Sequence, residues 1–253
     1  MTEFKINENG VPSLSANDIE KKVEEVIEFF NPDILCVPCE TPLLSFIEET
    51  AEKYDFSYDL SQDLGNNAHG HKILGKFRFK PRAIFADKSI DGDLRQKFVI
   101  GHEFGHLVLH RNLLIKRESY ADVDIADSEK DFVTGKKILL TPRDWLEWQA
   151  NRFSSAILMP RRTLLSALVS VQKSLDIHRN IGQIYLDDQA YSFSDFQQTM
   201  DGLQNIYQVT KYRIALIDSE FLFEFFGCVG PSDRFCRLVL APYKLHDRFC
   251  QLR

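Results

Sequence analysis

One apolar stretch, Gln96-Lys97-Phe98-Val99-Ile100-Gly101-His102-Glu103-Phe104-Gly105-His106-Leu107-Val108-Leu109-His110, contains the pattern H-E-x-x-H. The apolar residues around the pattern and the lack of proline predict a helix, with Asp91 or Asp93 as its cap. On a helix, His102 and His106 lie one turn apart on the same face. Two imidazoles so placed can bind one tetrahedral metal ion from one side.

Two further residues of this stretch support a metal site. Glu103 follows the first histidine and would point close enough to the metal to take a proton from a bound water. Gly105 costs a helix interior about 1 kcal/mol relative to alanine, which predicts the close approach of a neighbouring backbone. The alternative is a pair of surface histidines beside a solvated glutamate. A third ligand distinguishes these two interpretations.

Composition narrows the class of protein. A chain of 253 residues suits one domain, or one domain with an appended lobe. The net charge of −6 argues against a protein that mainly binds nucleic acid. Five thinly spread cysteines argue against a disulfide scaffold and favour a reducing cytoplasm. We also expect no membrane-spanning segment and no secretion signal in the residues at the start of the sequence.

The N-terminal region, residues 1–55, is predicted to pack two helices on the core. The first follows Ser15 and runs to about Phe30, with Asp18 at the capping-box position, and the second runs from Thr41 to about Tyr54.

A C-x-x-C pair lies between these two helices. Cys36 and Cys39 could form half of a zinc site or a redox pair, completed by Cys228, Cys236 or Cys250. The irregular spacing of the other cysteines favours ordinary buried thiols instead.

Residues 56–175 are predicted to form the core domain, with a small sheet ahead of the His-bearing helix. The turn that contains His69 and His71 is expected to be solvated and not to bind metal. Three strands are predicted from alternation and β-branched or aromatic content, at 56–60, 73–79 and 83–86.

A long connector, residues 111–141, follows the His-bearing helix. It is either a solvated loop or an acidic rim over the site that attracts a basic partner. Its acidic residues are Glu118, Asp122, Asp124, Asp127, Glu129 and Asp131.

Helices are next predicted over 142–158 and 161–175, and residues 176–253 form a predicted C-terminal helical or capping lobe. In that lobe Ser194 is expected to cap a helix. The two-helix pattern around Val209-Thr210 has some similarity to a helix-turn-helix, but helix packing is favoured over DNA reading. Residues 217–253 are given no role.

The third ligand is sought on the helix that begins at Pro142. Glu147 is polar at the start of an otherwise apolar helix, and the small Ala150 one turn on would let this helix lie against the His-bearing one. A His, His, Glu set leaves the fourth zinc position open, as hydrolysis requires.

The two motifs together carry a resemblance. H-E-F-G-H-L-V-L-H, followed by E-W-Q-A-N-R-F-x-x-x-I-L-M-P, resembles the ImmA/IrrE metallopeptidases between about Lys76 and Pro160, and more weakly to about Leu216. The sequence departs from the family pattern in its long connector and at Ser154-Ser155.

The resemblance implies roles for the site residues. His102, His106 and Glu147 would bind one Zn²⁺, and Glu103 would be the catalytic base. For the group that stabilises the oxyanion, or that orients a ligand from behind, the candidates are His110, Asn151, Arg152 and Tyr120.

The implied fold is α+β and zincin-like, of the gluzincin type. It has a small sheet packed on the H-E-x-x-H helix and a mostly helical C-terminal half. The implied activity is that of a cytoplasmic zinc endopeptidase that cuts a helix-turn-helix, DNA-binding repressor, without binding nucleic acid or membrane itself. A non-cleaving regulatory binding protein and a metallopeptidase-type toxin held by an antitoxin are the alternatives. The oligomeric state stays open.

Overall fold

The computed structural model describes residues 11–54, 56–110, 125–128, 141–179, 181–183 and 190–214. The chain divides into two compact units, Met1–Thr163 and Leu164–Arg253. The division into three regions that the sequence suggests stays a prediction.

Two helices open the first unit. α1 spans Ala16–Phe30 and begins with a capping box, in which the hydroxyl of Ser15 accepts from the Asp18 N–H at 3.2 Å and the Asp18 carboxylate accepts from the Ser15 N–H at 2.9 Å. After a 3₁₀ turn at Pro32–Leu35, α2 spans Leu43–Tyr54. Both predicted helices are confirmed.

The sheet has four strands: β1 (Ser57–Gln62), β2 (Ile73–Phe79), β3 (Arg82–Asp87) and β4 (Ile125–Ser128). Their order is β1-β3-β2-β4. β1 pairs with β3 in parallel, and β2 pairs antiparallel with β3 and β4. The first three strands confirm the prediction.

β4 corrects the prediction that residues 111–141 form only a loop. Four residues that include an acidic one carry no clear strand pattern, so local sequence did not reveal it. Its strand conformation comes from pairing with β2, where Phe77 lies opposite Ile125 and Gly75 opposite Asp127. The rest of the connector, up to residue 140, lies outside the described residues.

The His-bearing helix, α3, spans Leu94–Gly105 and continues as a π-helical turn over His106–His110. Asp93 is its cap, with a side chain that accepts from the Arg95 N–H at 2.7 Å. The predicted helix over the second motif is confirmed as α4, Pro142–Leu158.

α3 and α4 lie unusually close together, as Gly105 and Ala150 predict. A Cβ atom at position 105 would lie 3.3 Å from the Cα of Ala150 and 3.2 Å from the Cβ of Phe153. Along the same contact, the Ser154 hydroxyl donates to the Phe98 carbonyl at 2.7 Å. The departure from the family pattern at Ser154 therefore contributes a buried hydrogen bond between the two helices.

α5 spans Arg161–Ser174, and α6, in the second unit, spans Ala190–Tyr207. Within the second unit α6 approaches α5 closely, since a Cβ at Gly202 would lie 3.1 Å from Val171 Cγ2. The prediction that Ser194 caps α6 was wrong. The helix begins at Ala190, and the Ser194 hydroxyl accepts from the Gln198 side chain at 2.8 Å instead.

Among the described residues, none of the helices combines the length and the apolar character that a membrane crossing requires. The tail from residue 215 onward, with Cys228, Cys236 and Cys250, lies outside the described residues.

Candidate metal centre

The two histidines of H-E-x-x-H point at one another from the end of α3. Their side chains are fully buried, with 1% of His102 and none of His106 exposed. The Nε2 atoms lie 3.0 Å apart. The Phe77 ring of β2 lies nearly parallel to the His106 ring, with 6.3 Å between centroids, so the sheet forms one wall of the site.

Glu147 on α4 completes the group. Its Oε2 atom lies 3.2 Å from His102 Nε2 and 3.6 Å from His106 Nε2. Among the residues that the structure describes, these are the only three histidine, cysteine or acidic side chains grouped closely enough to hold a metal ion, with ligand atoms within 4.8 Å of one another. The close packing of α3 on α4 places Glu147 there.

The donor atoms fit zinc. Ligands at about 2.0–2.1 Å from a tetrahedral Zn²⁺ lie about 3.3 Å from one another. The three observed separations of 3.0, 3.2 and 3.6 Å bracket that value. Two imidazole nitrogens and one carboxylate are also the donor set of hydrolytic zinc sites.

Glu103 is entirely buried between α3 and β2. Its carboxylate occupies the space that a side chain at position 75 would need, since a Cβ on Gly75 would lie 2.6 Å from Val99 and closer still to Glu103. The contact holds the carboxylate against a backbone, away from bulk solvent.

His110 lies on the Nδ1 side of the His106 ring. Its Nδ1 atom is 2.9 Å from Nδ1 of His106, and its Nε2 atom is 3.0 Å from Oε1 of Gln149. Burial and the neighbouring His106 lower the pKa of His110 to about 3. The ring is therefore neutral and can accept a hydrogen bond on one nitrogen while it donates from the other.

Asn151 lies behind His102, with Oδ1 at 3.1 Å from Nδ1 of the ring. The guanidinium of Arg152 bonds to Glu20 on α1, so this candidate contributes to the packing of α4 on α1. Tyr120 lies outside the described residues.

Sequence reasoning missed two residues that contact this group. Gln149 bonds to His110, and nothing in its local sequence distinguishes it from any polar residue of a buried helix face. Arg143 lies 3.6 Å from Oε1 of Glu147. Its position four residues before Glu147 on one helix was a usable signal, since such residues are neighbours.

The other candidate ligands are not part of the group. His69 and His71 are exposed in their turn, as expected. Cys36 is exposed and Cys39 half-buried, both as free thiols, which corrects the expectation that they are ordinary buried cysteines. Burial, with help from Asp33 and Glu40, raises the pKa of the Cys39 thiol.

A buried His-His-Glu group held between two helices and a small sheet defines a candidate hydrolytic metal centre. Residues 67–185 match the family model of the Peptidase_M78 family, the IrrE N-terminal-like domain. This region of the chain therefore belongs to the ImmA/IrrE family of peptidases, as a mostly helical domain with a small sheet. A comparison with curated proteins finds no match.

Proposed function

We propose that this chain is a zinc-dependent endopeptidase with a zincin-like, gluzincin-type active site. The observation that carries the proposal is the convergence of His102, His106 and Glu147 at separations suited to one tetrahedral zinc ion. Family membership supports peptide-bond hydrolysis as the reaction.

The His102 and His106 Nε2 atoms and one Glu147 oxygen would hold the metal. When bound there, zinc supplies Lewis acidity, which lowers the pKa of a water at its open position towards about 7 and polarises the substrate carbonyl.

Glu103 supplies the proton transfers. Its carboxylate accepts a proton from the attacking water and then delivers it to the amine that leaves. Both transfers require a fixed carboxylate orientation, and the contact with Gly75 restricts that orientation.

The residues behind the ligands orient them. The Asn151 amide oxygen accepts from Nδ1–H of His102, which leaves the Nε2 lone pair for the metal. Arg143 draws the second oxygen of Glu147 to one side, so that Oε2 faces the histidines.

As substrate we propose a helix-turn-helix repressor in the cytoplasm. Resemblance to family members that cut such repressors supports this, and so does the acidic connector. β4 carries Asp127 opposite Gly75, and Gly75 lies against Glu103, so this strand of the connector lies beside the site. A basic DNA-binding protein would be attracted to that charge.

Metal analysis tests the proposal. Protein purified without chelator should contain about one zinc per chain by mass spectrometry. The His106→Ala variant should lose it. Wild-type protein that takes up no zinc even after zinc is added back would contradict the proposal and favour a non-cleaving binding protein.

A further inference from the structure

A chain of buried hydrogen bonds runs from His106 to the segment before α1. His106 Nδ1 lies 2.9 Å from Nδ1 of His110, and Nε2 of His110 lies 3.0 Å from Oε1 of Gln149. Nε2 of Gln149 then donates to the Pro12 carbonyl at 2.8 Å. Neither His110 nor Gln149 has any exposed surface, and Pro12 is buried.

The Pro12 carbonyl determines which atom donates and which accepts in each of these hydrogen bonds. A backbone carbonyl can only accept, so the NH₂ group of Gln149 must face Pro12 and its carbonyl oxygen must face His110. That oxygen requires an N–H donor, which places the proton of His110 on Nε2. Nδ1 of His110 is then an acceptor.

The proton position on His110 also fixes the proton position on His106, a metal-binding ring. An acceptor at His110 Nδ1 requires the proton of His106 to lie on its own Nδ1. The lone pair of His106 Nε2 is then directed at His102 and Glu147, where a metal ligand needs it. The opposite tautomer of His106 would leave two nitrogen lone pairs face to face, on its Nδ1 atom and on Nδ1 of His110.

We propose that Gln149 and His110 are positioning residues through which the backbone carbonyl of Pro12 fixes His106 in its metal-binding tautomer. This inference rests on the proposed zinc site. Under this proposal, the segment ahead of α1 helps to form the metal site. The proposal also explains why an amide is buried at position 149, between the His110 N–H and the Pro12 carbonyl.

Two substitutions at position 149 distinguish the effect of losing the hydrogen bond to His110 from the effect of changing the packing of the side chain. Gln149→Leu removes the acceptor for His110, so we expect zinc affinity, measured by competition with a chromophoric chelator, to fall about 10- to 100-fold. Gln149→Glu keeps an oxygen for His110 and, when protonated, an O–H for Pro12, so most of that loss should be recovered.

Ser154→Ala is the matched control. It removes another buried polar group from α4, whose hydroxyl bonds to the Phe98 carbonyl and not to a ligand. It should lower thermal stability and leave zinc affinity unchanged. Unchanged affinity in Gln149→Leu, or equal losses in Gln149→Leu and Gln149→Glu, would overturn the proposal.

The tautomer of His110 can also be read directly. Two-bond ¹H–¹⁵N correlation spectra of the wild-type protein should show the Nε2–H form of His110, assigned with His110→Gln. The Nδ1–H form would overturn the proposal. The His110 tautomer can be measured with or without zinc. The spectra therefore still test this proposal if the wild-type protein binds no metal and the proposed function fails.

Discussion

The carboxylate of Glu103 lies against the backbone of Gly75, closer than any side chain at position 75 would allow. β2 therefore packs on α3, and its backbone also restricts the position of the Glu103 carboxylate, the proposed base. β2 also pairs with β4, so the sheet connects the base to the acidic connector.

Gly75→Ala should damage catalysis more than metal binding. The added methyl group must displace the Glu103 carboxylate or Val99, and such overpacking costs about 1–3 kcal/mol of stability. We expect peptidase activity to drop at least about tenfold while zinc content stays near that of wild type. Lys76→Ala, the next residue along β2, is the control. Full activity in Gly75→Ala would show that the contact does not orient Glu103.

Glu103→Gln should separate binding from cleavage. The amide cannot accept the proton of the attacking water, so cleavage should slow by about 10²- to 10⁴-fold or more. Zinc stoichiometry should be unchanged, because Glu103 is not one of the three grouped ligands. Both quantities are measured beside His106→Ala, which should lose zinc and activity together. Cleavage that persists in Glu103→Gln would refute the assignment of the base.

The acidic connector should speed the capture of a basic substrate. Replacing Asp122, Asp124 and Asp127 together by Asn should reduce kcat/KM for a repressor at low salt. The difference should shrink at about 0.15 M salt, where charges are screened over about 8 Å. Cleavage of a neutral peptide is the control. An equal rate for the triple variant and wild type at low salt would reject this role.

Arg152 should contribute to stability without taking part in the reaction. Its buried guanidinium bonds to Glu20, which also lies 3.3 Å from Arg161. Arg152→Met should cost about 1–3 kcal/mol in the free energy of unfolding, with kcat of the folded protein unchanged. Arg161→Met, at a more exposed position, should cost less. A specific fall in kcat in Arg152→Met would restore Arg152 as a candidate for stabilising the oxyanion.

Asp87 at the end of β3 should make stability depend on pH. Burial opposes its ionisation, but bonds from Ser89 at 2.9 Å, Leu64 at 2.7 Å and Lys72 at 3.0 Å outweigh burial and hold the pKa of Asp87 below its ordinary value. A lowered folded-state pKa stabilises the protein above the unfolded pKa of about 3.9, and this stabilisation disappears as the pH falls through the folded-state value.

Asp87→Asn should therefore lower Tm at pH 7, by the equivalent of about 1–3 kcal/mol. The difference in Tm from wild type should narrow as the pH is lowered from 5 to 3. Thermal unfolding across that range measures it, with Asp59→Asn on exposed β1 as the control. A difference that stays constant down to pH 3 would contradict the assigned cause.

Several features were predictable because they depend on local periodicity. The spacing of His102 and His106 predicts two imidazoles on one helix face, and the structure places them so. Gly105 predicted the close contact with α4, and Pro142 marked the start of that helix. The helix position of Glu147 and the family resemblance predict it as the third ligand, and the structure brings it to the histidines.

Other features depend on contacts between residues far apart in the chain. β4 is a strand because β2 pairs with it, and its four residues show no strand pattern of their own. Arg152, a candidate for the reaction from the sequence, bonds to Glu20, which lies 132 positions earlier on α1.

The sequence by itself determined the helices, the histidine pair and the family, since each depends on residue type and short-range spacing. Only the tertiary structure decided which groups lie behind the ligands. Gln149 meets Pro12 because α4 packs beside the segment ahead of α1, and a hydrogen bond across 137 positions leaves no periodic trace in the sequence.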